Sequence, residues 1–227
     1  MFTNRIYKPI YFMEKMTKAG VKLENNNIFM LCRKLNNSAF KKLDKKYIVR
    51  NLEESEIEIW KTIHFDTCED KKNYRYIVDE YYNNYFSDRK NEFLNACKVI
   101  CDVNKDILGS CFLWKISAGL WSIQWFKVVN QYANKGIGRQ LLSYVLNNNK
   151  LELPIILHTH PVSFSAIKLY TDFGFEFLTD NYVGPRKNHL DVSLDLIKRG
   201  TKLKEPQLTS LSSSERERLV SCSSEDF

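Results

Sequence analysis

The stretch VVNQYANKGIGRQLL, residues 128–142, constrains the fold more than any other part of the chain. It opens with strand-type residues, tightens through Gly136 and Gly138, and continues as an amphipathic helix with Leu141, Leu142, Val145 and Leu146 as its apolar stripe. Such a succession calls for a sheet with a helix laid against it. Without Cβ atoms at two positions, the N–H groups of residues 133–139 can converge at the positive end of the helix, where phosphate oxygens bind. Lys135 and Arg139 add full charges beside them. The common nucleotide loops are incomplete here: Arg139 rather than Lys-Ser/Thr follows Gly138, and Gln140 stands where a dinucleotide loop has its third glycine. Two glycines alone also fit a plain strand-to-helix turn.

The neighbouring patterns give the sheet its plan. YIVRNL reads as a strand, ESEIEIWKTIH and YRYIVDEYYNNYF as helices, and KVICDVN, ILGSCFLWKIS and LWSIQWFKVV as an antiparallel meander. PIILHTH then reads as a short buried strand, SFSAIKLYTDFG as a helix closed by Gly174, FEFL as a strand, and HLDVSLDLI as a final alternating strand. A meander followed by helical crossovers predicts a mixed α/β fold, a largely antiparallel central sheet with helices on both faces. Residues 1–46 read as a basic extension, a helix over PIYFMEKMTKAG and then a hairpin into IFMLCRKL, and residues 47–199 as the domain proper. The serine-rich stretch 200–227 reads as a disordered or appended tail.

Net charge is +7, yet residues 53–92 hold eleven acids against six bases. One face is thereby expected to welcome anions and another cations. No apolar run approaches the roughly 20 residues of a membrane helix, so neither a membrane nor a secreted setting is expected, and a cytoplasmic one follows. The six cysteines are scattered without a CxxC pair and read as reduced thiols. His64 and Cys68 stand one helical turn apart, but no second pair accompanies them; packing is favoured and no metal is expected.

With ANKGIG at residues 133–138 and LHTHPVSFSAIKLYTDFGFE at 157–176, the chain resembles the GNAT superfamily of acetyl-CoA-dependent N-acetyltransferases over about residues 47–197. The resemblance implies a GNAT-type acyltransferase fold with acetyl-CoA as co-substrate. Its pyrophosphate would lie on Ala133, Asn134, Lys135, Gly136, Ile137, Gly138 and Arg139, and its pantetheine and thioester carbonyl on the backbone near Lys127 and Val129, with Ser163 beside the pantetheine arm. Ala133 departs from the family's Arg or Gln, and Ser163 from its Asn. The resemblance also implies that Tyr170, on one helix face with Ser163 and Ala166, protonates the departing thiolate.

A protonated amine must lose a proton before it attacks. His158 and His160, sharing one strand face beside the expected acetyl position, are the candidate bases; structural roles for both, and the acids of residues 53–92, are the rivals. The acidic segment, with Trp60, Tyr74, Tyr76, Tyr81, Tyr82 and Tyr85 as a cation cage, favours a cationic primary amine, a small molecule or a peptide; a solvated acidic face over a plain aromatic core explains the same residues. The alternative reading is an inactive acyl-CoA-binding domain acting as a sensor or interaction module. Nucleic-acid binding through residues 1–46 is a third reading that no recognised motif supports, so no nucleic-acid partner is expected, and a homodimer stays open.

Overall fold

A computed structural model of the chain describes residues 26–147 and 151–223. In chain order the elements are β1 (Ile28–Cys32), β2 (Ile48–Asn51), α1 (Ile57–Ile63), α2 (Cys68–Tyr85), α3 (Lys90–Ala96), β3 (Cys97–Cys101), β4 (Ile107–Lys115), β5 (Trp121–Val128), α4 (Ile137–Leu146), β6 (Ile155–Thr159), α5 (Phe164–Asp172) and β7 (Glu176–Leu178). A short hairpin of β8 (Tyr182–Val183) and β9 (Arg186–Lys187) follows, then α6 (Leu190–Thr201), β10 (Leu208–Thr209) and α7 (Ser213–Leu219). Eight strands form one sheet in the order β10-β7-β1-β6-β5-β4-β3-β2. Only β5–β6 and β10–β7 pair in parallel, so the sheet is mixed and mainly antiparallel as expected. The meander β3 to β5 falls where alternation and the turns at 104–106 and 117–119 put it.

The expected N-terminal hairpin is not what residues 28–32 form. IFMLC is a strand near the middle of the sheet, antiparallel to β6 along its whole length and to β7 at Met30 and Leu31. All five side chains are fully buried, which contributes roughly 1.5–3 kcal/mol for each large apolar one. A strand that needs partners on both edges cannot be an appendage, so the boundary drawn at residue 46 cuts through the sheet. The expected helix over residues 9–20 lies outside the described residues.

The alternation in HLDVSLDLI predicts a final strand. That stretch is instead helix α6, which buries Leu190, Ser193, Ile197 and Thr201 at helical spacing and leaves Val192 69% exposed. The tail is a further correction. Strand β10 extends the sheet, and α7 starts on a capping box in which Ser212 and Glu215 bond each other's backbone N–H. Leu211, Leu219 and Cys222 are buried against Phe29, Leu31, Ile156 and Leu178.

Each sheet face thus has its own cover. Helices α4, α5 and α6 lie over Ile28, Met30, Leu108, Cys111, Ile123 and Leu157. On the other face α1, α2 and α3 cover β3 to β5 with a cluster centred on Trp60, Phe86, Phe93 and Phe112.

Candidate functional site

The site begins where two parallel strands part. Pairing of β5 with β6 ends at Ile123↔Leu157, although β5 continues to Val128 and β6 to Thr159. Just beyond the last pair, β5 bulges. Ser110 faces Lys127 and Phe112 faces Gln124, so Trp125 and Phe126 together oppose Cys111. Trp125 takes φ +49°, a left-handed conformation uncommon for a bulky side chain. The extra residue reverses the alternation. Trp125 joins the α1–α2 side of the sheet, while Phe126 and Val128 join the α4–α5 side.

The bulge also decides which peptide groups face the gap. Val129 N–H donates to the Leu108 carbonyl at 2.9 Å, which turns it toward β4. Strand alternation turns the peptide groups of Lys127 the same way and those of Phe126 and Val128 into the gap. Of the two expected backbone positions, the Val129 N–H is thus already engaged by β4. The Lys127 side chain is engaged as well, its Nζ 2.5 Å from Asp66 Oδ1.

At the end of β5 the chain turns through residues 130–132 and enters the glycine loop. Asn134 has φ +60° and Gly136 φ +74°, alternating left-handed positions that aim successive N–H groups inward. Ala133 N–H is satisfied by the Asn130 carbonyl and Gln140 N–H by the Gly136 carbonyl. Between them, the amides of residues 134–136 have no backbone acceptor among the described residues, and those of residues 137–139, in the first turn of α4, have none by helix geometry. A Cβ on Gly138 would stand 3.1 Å from Phe126 Cζ and 3.4 Å from Val128 Cγ2, so this glycine lets α4 press its first turn onto β5. An anion of diphosphate size fits this cradle by the chemistry of its donors. Ala133 contributes neither side chain nor amide to it.

The two predicted charges are placed differently. Lys135 lies over the Tyr132 ring at 5.2 Å, beside the loop. Arg139 turns away from it: the guanidinium pairs with Asp172 and donates to the Ala39 carbonyl, tying α4 to α5 and to the segment after β1. A cation that sequence reasoning missed also reaches the loop. Lys41 Nζ is 4.0 Å from where a Gly136 Cβ would be; its only signal was the basic run KKLDKK at 41–46.

Tyr170 is buried under α5 with its ring 5.9 Å from Phe126, beside the parting strands. Burial pushes its phenol well above the usual tyrosine range, with the neighbouring Cys111 adding to the effect, so the hydroxyl stays protonated. Ser163 caps the start of α5 at the end of the β6 loop, where its carbonyl accepts from Ile167 N–H. His158 is on the opposite face, its ring 5.9 Å from Phe29. Burial, then the approach of Arg186 and then of His160, pushes His158 down to about 3. His160 is also shifted down by burial. Both rings are neutral near pH 7. Arg186, on the β8–β9 hairpin, is itself pushed down by burial and belongs to this side of the gap.

The acidic segment is largely occupied. Glu58 and Asp79 share Lys61 and Arg75, Glu54 pairs with Lys90, Glu92 with Arg89, Glu53 and Glu56 with Arg50, and Asp66 with Lys127. Arg50 and Lys127 come from outside the segment and cut its surplus of five negative charges to three. Of the aromatics, Trp60 is fully buried, edge-on to Phe93 at 5.0 Å, Tyr82 is buried and Tyr76 points to solvent, while Tyr81 packs against Tyr85 at 4.6 Å and Trp125 at 5.1 Å. His64 packs between Trp60 and Trp125, whereas Cys68 is exposed on the next helix.

Residues 95–177, from the end of α3 into β7, match the family model described as an acetyltransferase (GNAT) domain. No curated protein matches the sequence. A functionally unknown conserved protein from Staphylococcus epidermidis superposes with a TM-score of 0.46 at 18% identity, covering 66% of this chain and 57% of its own. A GCN5-related N-acetyltransferase from Sphaerobacter thermophilus gives 0.49 at 14% identity, covering 66% and 48%. Naa50 of Arabidopsis thaliana, solved with a bisubstrate analogue, gives 0.41 at 24% identity, covering 63% and 91%. The chain spans about half the length of the first two.

Proposed function

We propose that the chain, whose residues 95–177 match the acetyltransferase (GNAT) domain model, transfers the acetyl group of acetyl-CoA directly to a primary amine. The observation that carries this is the conjunction of the parted strands β5 and β6, an amide cradle at the end of β5, and Tyr170 against the gap. The pyrophosphate sits on the amides of residues 134–139. The pantetheine arm runs down the gap, bonding the peptide groups of Phe126 and Val128 like a short extra strand. The thioester then lies beside Tyr170.

The amine approaches from the α1–α2 face, where His158, His160 and Arg186 stand. Its ammonium gives one proton to water, the freed nitrogen attacks the thioester carbon, and the C–S bond breaks as the tetrahedral intermediate collapses with loss of a second proton from nitrogen. A phenol held so far above its usual range is a weak acid, so Tyr170 acts by donating a hydrogen bond to the leaving sulfur, and the second proton lost by nitrogen ends on the thiol, the first having left through water. A histidine whose conjugate acid has a pKa of about 3 is a weak base, and His158 serves better in ordering water that carries the proton away. The remaining surplus of three charges leaves a cationic amine as the favoured acceptor.

The test is release of free CoA from acetyl-CoA across a panel of amines, run beside thermal stabilisation by CoA. Tyr170→Phe is expected to lower kcat at least tenfold while CoA affinity holds. Stabilisation by CoA with no turnover on any amine would instead select the binding-only reading.

A further inference from the structure

We propose that Lys41, from the segment joining β1 to β2, binds a phosphate of CoA and supplies the charge missing at Ala133. The inference rests on the acetyl-CoA reading above. Three side chains on the first turns of α4 hold the backbone of this segment. Arg139 Nη1 donates to the Ala39 carbonyl at 3.2 Å, Ser143 Oγ accepts from Lys41 N–H at 2.9 Å, and Gln140 Oε1 accepts from Asp44 N–H at 2.7 Å. Phe40 packs edge-on against Phe173 at 5.1 Å and pins the segment from the other side. The Lys41 backbone is thereby fixed along α4, and its exposed side chain ends at the mouth of the glycine loop, 4.0 Å from the Gly136 Cβ position. Lys41 Nζ makes no ion pair among the described residues. An oxygen on the Gly136 amide is within reach of that ammonium.

The segment lies outside the residues matched to the family, 95–177. It is brought to the loop because β1 enters the sheet between β6 and β7 and the chain must then cross α4 to reach β2 on the far edge. The exposed loop has only Ala133 where a longer side chain would otherwise hold the phosphate, and Lys41 enters from the neighbouring segment. Because only the backbone N–H of Lys41 bonds Ser143, shortening the side chain leaves the segment anchored.

Calorimetry on the full chain tests the assignment. Lys41→Ala is expected to weaken CoA binding about fivefold to tenfold at low salt, with Lys41→Arg restoring it and the neighbouring Lys42→Ala leaving it unchanged. The same loss is expected with 3′-dephospho-CoA, none with phosphate-free pantetheine, and a smaller loss at 1 M salt. Affinity of Lys41→Ala within twofold of the unaltered chain overturns the proposal, as does an equal loss for pantetheine, which would mark a structural role. If the unaltered chain does not bind CoA, the acetyl-CoA reading falls and takes this one with it; binding that ignores Lys41 removes this one alone.

Discussion

The ion pair between Arg33 and Glu215 makes the docking of the C-terminal segment measurable. Arg33 Nη2 lies 2.6 Å from Glu215 Oε2 and its Nε 2.9 Å from Oε1, a two-pronged contact between the end of β1 and the first turn of α7. That guanidinium is the main reason the Glu215 carboxyl falls from 4.5 to about 2. A displacement of that size is equivalent to about 3 kcal/mol at 1.36 kcal/mol per pH unit. The Glu215 side chain is 9% exposed but that of Arg33 is 37% exposed, and solvent there reduces the value to roughly 2 kcal/mol. The folded pKa is below the unfolded one, so this contribution is complete above about pH 4.5 and disappears as pH falls toward 2. Glu215→Gln keeps the shape and removes the charge. Urea unfolding at pH 7 should show it less stable by that amount, and the gap between variant and parent should narrow below about pH 4.5 and be nearly closed at pH 2. Hydrogen exchange should locate the damage in residues 208–219 before it reaches β4 and β5. An unchanged urea midpoint at pH 7, or a difference constant across pH, would refute the electrostatic account.

The remaining predictions concern the site. Gly136→Ala forces a side chain into φ +74°, which costs about 1–2 kcal/mol locally; CoA affinity measured by calorimetry should fall by about tenfold, and unchanged affinity would remove the loop from the site. His158, already shifted down to about 3, should leave no ionisation near 6.5 in the pH profile of kcat/KM; a limb at that pH that vanishes in His158→Asn would restore it as the general base. His64, buried between two indoles and shifted to about 3, binds a proton more readily unfolded than folded, so the stability it permits is complete above about pH 6.5 and declines as pH falls toward 3. Urea midpoints of His64→Phe should decline less steeply over that range than those of the parent chain.

What was legible in the sequence was local. The meander and helix α4 each carry one dominant periodicity, and the glycine at 136 answers a backbone demand that no other residue meets as cheaply. What was not legible depends on partners far along the chain. HLDVSLDLI has apolar residues at both the strand and the helix spacing, and packing decides between them: Leu190 and Ile197 are buried at helical spacing, while IFMLC enters the sheet through pairings with residues 155–159 and 176–177. The tail has few apolar residues among its serines, yet Leu211 and Leu219 find burial because Arg33 and Asp180 bind α7 and the residues before it.

The site divides along the same line. Its cradle is made by main chain, so its residues could be named in advance; its charges are carried by long side chains whose ends are placed by packing, and there expectation and structure diverge. Arg139 belongs to Asp172 because α5 passes within its reach, while Lys41 arrives from a hundred residues earlier because β1 forces the chain across α4. The bulge at Trp125 has the same character. An extra residue between Gln124 and Lys127 is invisible in a sequence that alternates well enough to be a strand, yet it determines which peptide groups face the gap and which aromatic ring lies against Tyr170. For this fold, sequence pattern names the backbone of the glycine loop, and the order of strands decides which side chains surround it.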